Sequence, residues 1–286
     1  MTPGPGRRRF VQAASGALAA TACPAWAQPA WMTLPSTPPL PRPSRSGRVR
    51  IGDVELFHAV FGDGPPVLFL HGGMGHSNYW GHQVAALAPQ YRVIVLDSRG
   101  HGRSTLSRQR LSYRLLADDA LGLLNALKLS RAAIVGWSDG GIVGLDLAMR
   151  RPDRVGGLFA FGANFNLQGL RPEGAQGAVF TQYAERCRLD YATLSPKPAN
   201  WQRLLDDLRR MWGSSPTWTP AQLARIQVPT TIVGAEHDEI IRREHTAALA
   251  AAIPGARLAI MPGVSHFAML QDPERFNAEL AAFLRS

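Results

Sequence analysis

Short apolar runs recur along this chain, each bounded by glycine or polar residues, and helical patterns separate most of them. Brief apolar runs of this kind are typical of strands buried on both faces, as in a parallel sheet. The candidate strands cover residues 49–51, 54–60, 67–70, 93–96, 132–137, 158–161, 230–233 and 257–261. Gly52 and Asp53 lie between the first two and predict a tight hairpin turn. Strands that alternate with helices favour a three-layer α/β domain with a mostly parallel sheet.

One long segment interrupts this alternation. Residues 164 to about 220 contain no convincing strand, but apolar side chains recur there at helical spacing with charged residues on the other face. The apolar positions are Trp201, Leu204, Leu205, Leu208, Met211 and Trp212, and the charged positions are Asp206, Asp207, Arg209 and Arg210. Such a helix can pack on the core, or it can belong to a cap over a site at the carboxyl edge of the sheet. We expect both, with a helical cap insertion at about 164–220.

The first 27 residues have the pattern of an export signal. Arg7-Arg8-Arg9 precede a weakly apolar run from Phe10 to Ala22, and Ala25-Trp26-Ala27 has the small-x-small form that signal peptidase recognises. The paired arginines resemble a bacterial twin-arginine signal, which a receptor reads. We expect transient contact with the twin-arginine export machinery, cleavage near Ala27 and a periplasmic or secreted protein. An ordinary secretory signal or a basic tail would be the alternatives, and the run is too short for a stable membrane span.

Residues 28–46 are rich in proline and poor in apolar side chains, so we expect an extended tether there. The folded domain should then cover residues 47–286. If residues 1–27 are removed, Cys187 is the last cysteine and no intramolecular disulfide can form. A lone cysteine without a surrounding motif is most often a small packing residue, so we assign it no catalytic role.

The formal net charge of +10 could indicate a nucleic-acid partner. Three of the arginines lie in the predicted export signal, and the others are scattered among acidic residues instead of forming a patch. We therefore interpret these arginines as solvated surface residues and expect no nucleic-acid partner.

Residues 136–140 read Gly-Trp-Ser-Asp-Gly and match the G-x-S-x-G motif, after a predicted strand and before a predicted helix. A sharp strand-to-helix turn would push the hydroxyl of Ser138 outwards, and glycines two residues away on either side would avoid a collision. The turn also places Ser138 at a helix N-terminus, where the helix dipole favours developing negative charge. In this context the motif predicts that Ser138 is a nucleophile.

A serine hydroxyl needs a base to take its proton, and the base needs an acid to hold it in one tautomer. Asp238 and His266 follow Ser138 in the order acid, then histidine, and each lies in a loop after a predicted strand. Loops at the carboxyl edge of such a sheet meet at one place. We therefore predict Asp238 as the acid and His266 as the base. The rival acids are Glu236 and Glu239, and the rival bases are His237 and His245.

Two backbone N–H groups should stabilise the oxyanion of a tetrahedral intermediate. Asp139 follows the predicted nucleophile and offers one, and we expect Gly73 in the loop His71-Gly72-Gly73-Met74-Gly75 to offer the other. This loop lacks the ending of a phosphate-binding loop. Met74, Trp137 and the Asp139 side chain are candidate substrate contacts. The Asp139 carboxylate could bind a cationic substrate group, or it could brace the turn through an internal hydrogen bond or salt bridge.

Five stretches together resemble the α/β-hydrolase superfamily, and most closely its valacyclovir-hydrolase-like (biphenyl-hydrolase-like) esterases. They are H-G-G-M-G, D-S-R-G-H-G-R-S at 97–104, G-W-S-D-G-G, and the pair E-H-D and G-V-S-H-F near the C-terminus. The resemblance covers roughly residues 48–286 and implies the α/β-hydrolase fold with a Ser-His-Asp triad. Ala235 stands where many relatives have glycine, and the first 46 residues fall outside the family pattern.

These patterns favour a serine hydrolase that cleaves a carboxylic ester, or a lactone, thioester or small amide, through an acyl-enzyme. The expected partner is a small ester-type molecule, and we expect neither a metal nor an organic cofactor. Carbon–carbon bond hydrolysis or perhydrolase chemistry on the same triad is an alternative. A non-catalytic binding protein of the same fold is another. Ser138 at the turn excludes the dehalogenases and epoxide hydrolases of this fold, because they use an aspartate there.

Overall fold

The computed structural model describes residues 1, 2, 4 and 28–286, so most of the predicted export signal lies outside the described residues. The strands are β1 Arg45–Ile51, β2 Val54–Phe61, β3 Pro66–Leu70, β4 Arg92–Leu96, β5 Ala132–Trp137, β6 Val155–Phe161, β7 Thr230–Ala235 and β8 Arg257–Met261. The α-helices are α1 Gly81–Leu87, α2 Tyr113–Ala126, α3 Asp139–Arg150, α4 Ala178–Leu194, α5 Trp201–Trp212, α6 Pro220–Leu223, α7 Arg243–Ala251, α8 Ala268–Gln271 and α9 Pro273–Arg285. Within this described part, none of the helices is long and apolar enough to cross a membrane.

The eight strands form one sheet in the order β1-β2-β4-β3-β5-β6-β7-β8. The β1–β2 hairpin and the β2–β4 pair are antiparallel, and the remaining pairs are parallel. The central strands β3, β5, β6 and β7 are buried along nearly their whole length, which explains their continuous apolar sequences. The predicted mostly parallel α/β sheet is confirmed.

Helices cover both faces of the sheet, as two neighbouring residues of β6 show. A Cβ atom on Gly157 would lie 3.1 Å from the ring of Phe283 in α9. The next residue, Leu158, points to the opposite face and would lie 2.5 Å from a Cβ on Gly144 in α3. Helices α3 and α9 therefore lie on opposite faces, which makes the domain a three-layer sandwich.

Helix ends follow the capping residues of the sequence. The Ser112 side chain accepts a hydrogen bond from the N–H of Leu115 at the start of α2, with 3.2 Å between the two atoms. Asp272 caps α9 in the same way through the N–H of Arg275 at 3.0 Å, and Pro273 occupies the first helical turn. Both helices therefore begin directly after a capping residue.

Between β6 and β7 the described chain forms the helices α4, α5 and α6 with short 3-10 turns. An isolated bridge from Leu170 to Ile241 ties the start of this insertion to the loop after β7. Helix α5 buries Leu204, Leu208 and Met211, as its periodicity predicts. Asp207 is an exception on the predicted charged face, because it is buried, and it forms an ion pair with the exposed Arg210.

Residues 28–44, here called the strap, lie against the domain and do not stand away from it as a tether. Leu34 and Leu40 are half-buried against the core. The guanidinium of Arg186 in α4 donates to the carbonyl oxygens of Leu34 and Pro35 at 2.9 and 2.6 Å. The strap forms one short 3-10 turn, Ala30–Met32, and its backbone carbonyls outside regular structure can still accept hydrogen bonds from the domain. The sheet also begins two residues before the expected boundary, at Arg45.

Candidate active site

Ser138 occupies a strained turn between β5 and α3. Its φ of 54° and ψ of −120° are unusual for a residue with a side chain, and its N–H donates to the carbonyl of Phe161 at 2.8 Å. A Cβ on Gly136 would lie 2.2 Å from the carbonyl oxygen of Gly140, and one on Gly140 would lie 2.0 Å from that of Leu70. Only glycine fits at either position, which is the steric reason that the motif predicts.

His266 and Asp238 meet as the sequence order predicts. The His266 Nδ1 atom lies 3.0 Å from both carboxylate oxygens of Asp238, and both side chains are buried. Asp238 is itself held in place, because its Oδ1 accepts the N–H groups of Ile240 and Ile241 at 2.9 and 2.8 Å. With Nδ1 donating to this carboxylate, Nε2 is the nitrogen that can accept a proton.

Burial alone would lower the pKa of the His266 imidazole, but facing carboxylates more than reverse this effect. Asp238 contributes most to raising the pKa above its ordinary value of 6.5, and Glu239 and Asp139 add to it. In this environment His266 binds a proton more tightly than a free histidine does. An intermediate in which the ring is an imidazolium would require this.

Ser138 and His266 both line one cavity of about 240 Å³. No hydrogen bond joins their side chains in the described part of the chain, although the predicted chemistry needs a proton to pass between them. Such contacts are often long without substrate and shorten when it binds.

The rival acids and bases have other contacts. Glu236 accepts the N–H of Gly263 at 2.8 Å, and Glu239 accepts the backbone N–H of His266 at 3.1 Å. The ring of His237 stacks on Trp31 of the strap with 4.5 Å between centroids. His245 accepts the N–H of Phe165 at 3.1 Å, and burial lowers the pKa of His245 to about 4. None of the four is placed as Asp238 and His266 are.

The glycine-rich loop after β3 lies directly over Ser138. A Cβ on Gly72 would be 3.1 Å from the Ser138 Cβ, and one on Gly73 would be 2.6 Å from the Asp139 Oδ2. His71 fixes the loop, because its Nδ1 lies 2.7 Å from the carbonyl oxygen of Gly72 and its Nε2 accepts the N–H of Ser98 at 2.9 Å. Burial lowers the pKa of His71 to about 3, so the ring stays neutral and can serve both contacts.

Ser98 belongs to the D-S-R-G-H-G-R-S stretch, and this stretch is structural. The buried Asp97 accepts the N–H of Ser77 at 2.8 Å and forms an ion pair with Arg103 at 2.9 Å. Arg99 binds Asp119 of α2 through two nitrogens, at 2.8 and 2.6 Å. The stretch therefore fixes the loop after β4 against neighbouring elements. Through the contact between Ser98 and His71 it also stabilises the glycine-rich loop.

The Asp139 carboxylate is buried and is held by two neutral donors. Tyr113 O–H donates to its Oδ1 at 2.8 Å, and Trp212 Nε1–H lies 3.0 and 2.9 Å from its two oxygens. Burial raises the pKa of Asp139, while these hydrogen bonds oppose the rise. Of the two roles considered for this side chain, the internal contacts favour the brace. The contacts that Tyr113 and Trp212 make with this carboxylate are hydrogen bonds from neutral groups, and neither is a salt bridge.

The cap forms the roof of the cavity and contacts both predicted oxyanion residues. Tyr183 of α4 donates its hydroxyl to the carbonyl oxygen of Gly73 at 2.6 Å, while Trp212 of α5 reaches Asp139. Trp137 and Asp139 line the cavity, as predicted for substrate contacts. Met74 does not line it. Its φ of 65° and its burial belong to the turn of the glycine-rich loop, so this candidate contact is a packing residue.

A model of the alpha/beta hydrolase family matches residues 67–279, which is most of the chain. The chain belongs to the alpha/beta hydrolase family. It is 29% identical over 251 residues to the RutD protein of Pseudomonas syringae pv. syringae (strain B728a), provisionally named a carbamate hydrolase, covering 80% of this chain and 97% of that one. It is 26% identical to the pimeloyl-[acyl-carrier protein] methyl ester esterase of Nitrosospira multiformis, covering 82% and 100%.

Among solved structures, the chain is similar to Est816, described as an N-acyl homoserine lactone degrading enzyme. The TM-score is 0.71 with 28% identity, covering 83% of this chain and 100% of that one. The relatives of this hydrolase are named for the hydrolysis of several related bonds. The chain is therefore a hydrolytic enzyme. Membership of the family does not by itself identify which type of bond it hydrolyses.

Sequence reasoning about this hydrolase missed Tyr113, Tyr183 and Trp212 as contacts of the site. Trp212 was identified only as an apolar position of a helix, and its indole N–H faces the carboxylate of Asp139. The periodicity of a helix reports which face is buried, and it does not report what a buried polar tip binds. Cys187 is a packing residue as expected, and burial raises its pKa to about 12.

Proposed function

We propose that this hydrolase cleaves a carboxylic ester through an acyl-enzyme on Ser138, with His266 as base and Asp238 as orienting acid. One observation carries the proposal. The strained Ser138 and an imidazole anchored by Asp238 line the same cavity under the cap. A lactone, thioester or small amide would use the same machinery.

In the first half-reaction, His266 Nε2 accepts the proton of Ser138 while the serine oxygen attacks the carbonyl carbon. The intermediate collapses, His266 passes the proton to the leaving alcohol oxygen, and the acyl group stays on Ser138. In the second half-reaction, water attacks the acyl carbon and gives its proton to His266. The carboxylic acid then leaves, and Ser138 regains its proton.

Two backbone donors complete the proposed chemistry. The N–H of Gly73 and the N–H of Asp139 would bind the oxyanion of each tetrahedral intermediate, and a Cβ on Gly73 would lie only 2.6 Å from the Asp139 Oδ2, which supports this pairing. Removal of one such donor in enzymes of this kind lowers kcat by roughly 10²–10³-fold. Asp238 would hold the tautomer of His266 and stabilise the imidazolium in both half-reactions.

The names of two relatives favour an ester or a lactone as the substrate of this hydrolase. One is named a methyl ester esterase and another a lactone-degrading enzyme, at 26% and 28% identity to this chain. Both names describe acyl–oxygen bonds, which a serine–histidine pair cleaves through an acyl-enzyme.

Labelling with a fluorophosphonate probe tests the proposal. We expect the wild type and a Ser215→Ala variant to react, because Ser215 lines the same cavity but donates its hydroxyl to Met211. Ser138→Ala should not react. Ser138→Ala, His266→Ala and Asp238→Asn should each lower ester turnover by roughly 10⁴-fold, with double variants little worse than the worst single one.

A screen of chromogenic esters of varying acyl length provides the substrate for these measurements. Near-normal turnover by Ser138→Ala would overturn the assignment. Failure of the wild type to react with the probe would favour a binding protein of this fold. Labelling without cleavage of any ester would direct the search to carbon–carbon bond or perhydrolase chemistry.

A further inference from the structure

Arg171 lines the same cavity as Ser138 and His266, on the first segment of the insertion after β6. Its backbone is fixed on both sides. The Arg171 N–H donates to the carbonyl oxygen of Ile240 at 2.8 Å, and its carbonyl accepts the N–H of Gly174 at 3.1 Å. The neighbouring bridge between Leu170 and Ile241 adds to this anchorage. The arginine is therefore a fixed part of the cavity wall.

The guanidinium of Arg171 has no protein partner in the part of the chain that the structure describes. Its Nε atom is buried without a hydrogen-bond acceptor. No ion pair between described residues includes it, whereas the buried or half-buried Arg99, Arg103 and Arg150 each bind a carboxylate. The other charged side chain of the cavity, Asp139, is already bound to Tyr113 and Trp212.

Most of the other side chains that the insertion and the loop after β7 contribute to this cavity are apolar. They are Leu170, Pro172, Ala175, Phe180, Ile240 and Ile241. A buried polar donor without a partner is unfavourable, and a guanidinium in apolar surroundings favours a bound anion more strongly than one in water. Its planar fork of N–H groups matches the two oxygens of a carboxylate.

We propose that Arg171 binds a carboxylate carried by the substrate, so that the preferred ester is an anionic one. The apolar wall would hold the hydrocarbon chain between this carboxylate and the scissile carbonyl at Ser138. The inference rests on the proposed esterase function and defines its substrate class. The carboxylate could belong to the acyl part or to the alcohol part, and the two cases call for different substrates.

Two substrate series test the proposal. In one, monomethyl esters of linear dicarboxylic acids from succinate to suberate are compared with the isosteric ω-carboxamide methyl esters. In the other, acetate esters of ω-hydroxycarboxylic acids are compared with the corresponding amides. Each pair differs in charge and hardly in shape, so the ratio of kcat/KM within a pair reports recognition of the carboxylate.

We expect a ratio of at least about tenfold at the best chain length in one series, because hydrogen bonds to charged groups have effects of this size. The Arg171→Gln variant should bring that ratio close to one. Arg209→Gln is the matched control, because it removes the same charge from an exposed position of the cap, and it should keep the wild-type ratio. The series that shows the preference identifies which part of the ester carries the carboxylate.

Absence of any preference in both series would overturn the proposal, and so would a preference that survives in Arg171→Gln. Cleavage of neutral p-nitrophenyl esters by the wild type separates this result from failure of the proposed function. If the wild type cleaves these esters in a Ser138-dependent way but ignores the carboxylate, only the role of Arg171 is wrong. If it cleaves no ester at all, the esterase function is wrong.

Discussion

At the scale of single residues, the protonation of His266 depends on the carboxylates around it. Asp238 contacts the ring, Glu239 accepts the backbone N–H of the same residue, and Asp139 lies across the site. All three raise the pKa of the imidazole. Only the neutral imidazole can accept the proton of Ser138, so this raised pKa should appear in the pH dependence of turnover.

We expect kcat/KM for a neutral ester to rise with pH through a midpoint above 6.5, the ordinary pKa of histidine. Glu239→Gln removes one of the charges that favour the imidazolium, so it should move the midpoint to lower pH. Glu236→Gln is the control, because Glu236 binds Gly263 instead and should leave the midpoint in place. A wild-type midpoint below 6.5, or identical profiles for the wild type and Glu239→Gln, would contradict the electrostatic account.

Asp139 allows a separation of charge from hydrogen bonding. Its Oδ1 accepts from both Tyr113 and Trp212, so an asparagine with its oxygen at that place would keep these two contacts and lose only the one between Oδ2 and Trp212. We expect Asp139→Asn to retain ester turnover within a few-fold. Asp139→Ala should lose about 1–3 kcal/mol of stability, since it leaves two buried donors unpaired, and should lower turnover further.

The substrate pair for Asp139 is an α-amino ester and its desamino analogue. If the carboxylate braces the turn, each variant should change kcat/KM by the same factor on both esters. A variant that loses only the rate on the amino ester would instead assign Asp139 to binding a cationic substrate group.

At the scale of elements, helices α4 and α5 of the cap hold the site together as well as cover it. Tyr183 binds the carbonyl of Gly73, and Trp212 binds the side chain of Asp139. These are the two residues whose backbone N–H groups are the proposed oxyanion donors. The position of the cap is thereby coupled to the positions of these two proposed donors.

Tyr183→Phe and Trp212→Phe should therefore lower kcat by about 3- to 30-fold and change KM little, since a small misplacement of a donor affects mainly the transition state. Trp201→Phe is the matched control on α5, because Trp201 packs on Tyr191 away from the cavity. Steady-state kinetics on one chromogenic ester is sufficient. A higher KM with unchanged kcat would show that the two side chains are only walls of the cavity.

At the scale of the whole molecule, the strap joins the cap to the core. It is bound by Arg186 of the cap helix α4, and its Thr33 carbonyl accepts a hydrogen bond from Gln271 of α8 at 2.8 Å. Trp31 stacks on His237, which directly precedes Asp238 in the chain. The strap therefore spans two parts of the molecule that contribute to the site.

A protein that begins at Gln28 should be more stable than one that begins at Arg45, by roughly 1–3 kcal/mol from the lost apolar burial and hydrogen bonds. Thermal unfolding of the two proteins measures the difference. Arg186→Met in the longer protein should reproduce part of the loss. Equal melting temperatures for the two proteins would show that the strap contributes nothing to stability.

Export remains a proposal, because residues 3 and 5–27 lie outside the described residues. We propose that Arg7–Arg9 direct the precursor to the twin-arginine machinery and that cleavage near Ala27 leaves the strap at the new N-terminus. Replacement of the three arginines with lysines should retain the precursor in the cytoplasm, as cell fractionation would show. Mature protein outside the cytoplasm at the normal level would refute the twin-arginine route.

The sequence by itself determined the strands, the turn at Ser138 and the fold class, because these depend on local properties. Apolar runs reveal buried strands, and Gly136 and Gly140 are required wherever this turn forms. The sequence also predicted that Ser138, Asp238 and His266 lie near one another. Each follows a strand, and the carboxyl ends of parallel strands lie at one edge of the sheet.

Only the tertiary structure decided which polar groups meet across the site. Met74 and Trp137 looked equivalent in the sequence, yet one packs in a loop and the other lines the cavity. The proline-rich strap looked like a free tether, and Arg171 did not stand out from the other arginines. Contacts between residues far apart in the chain depend on side-chain direction and on the packing of whole elements. Local sequence patterns carry no record of either, so only the folded chain shows that Arg171 lines the same cavity as Ser138.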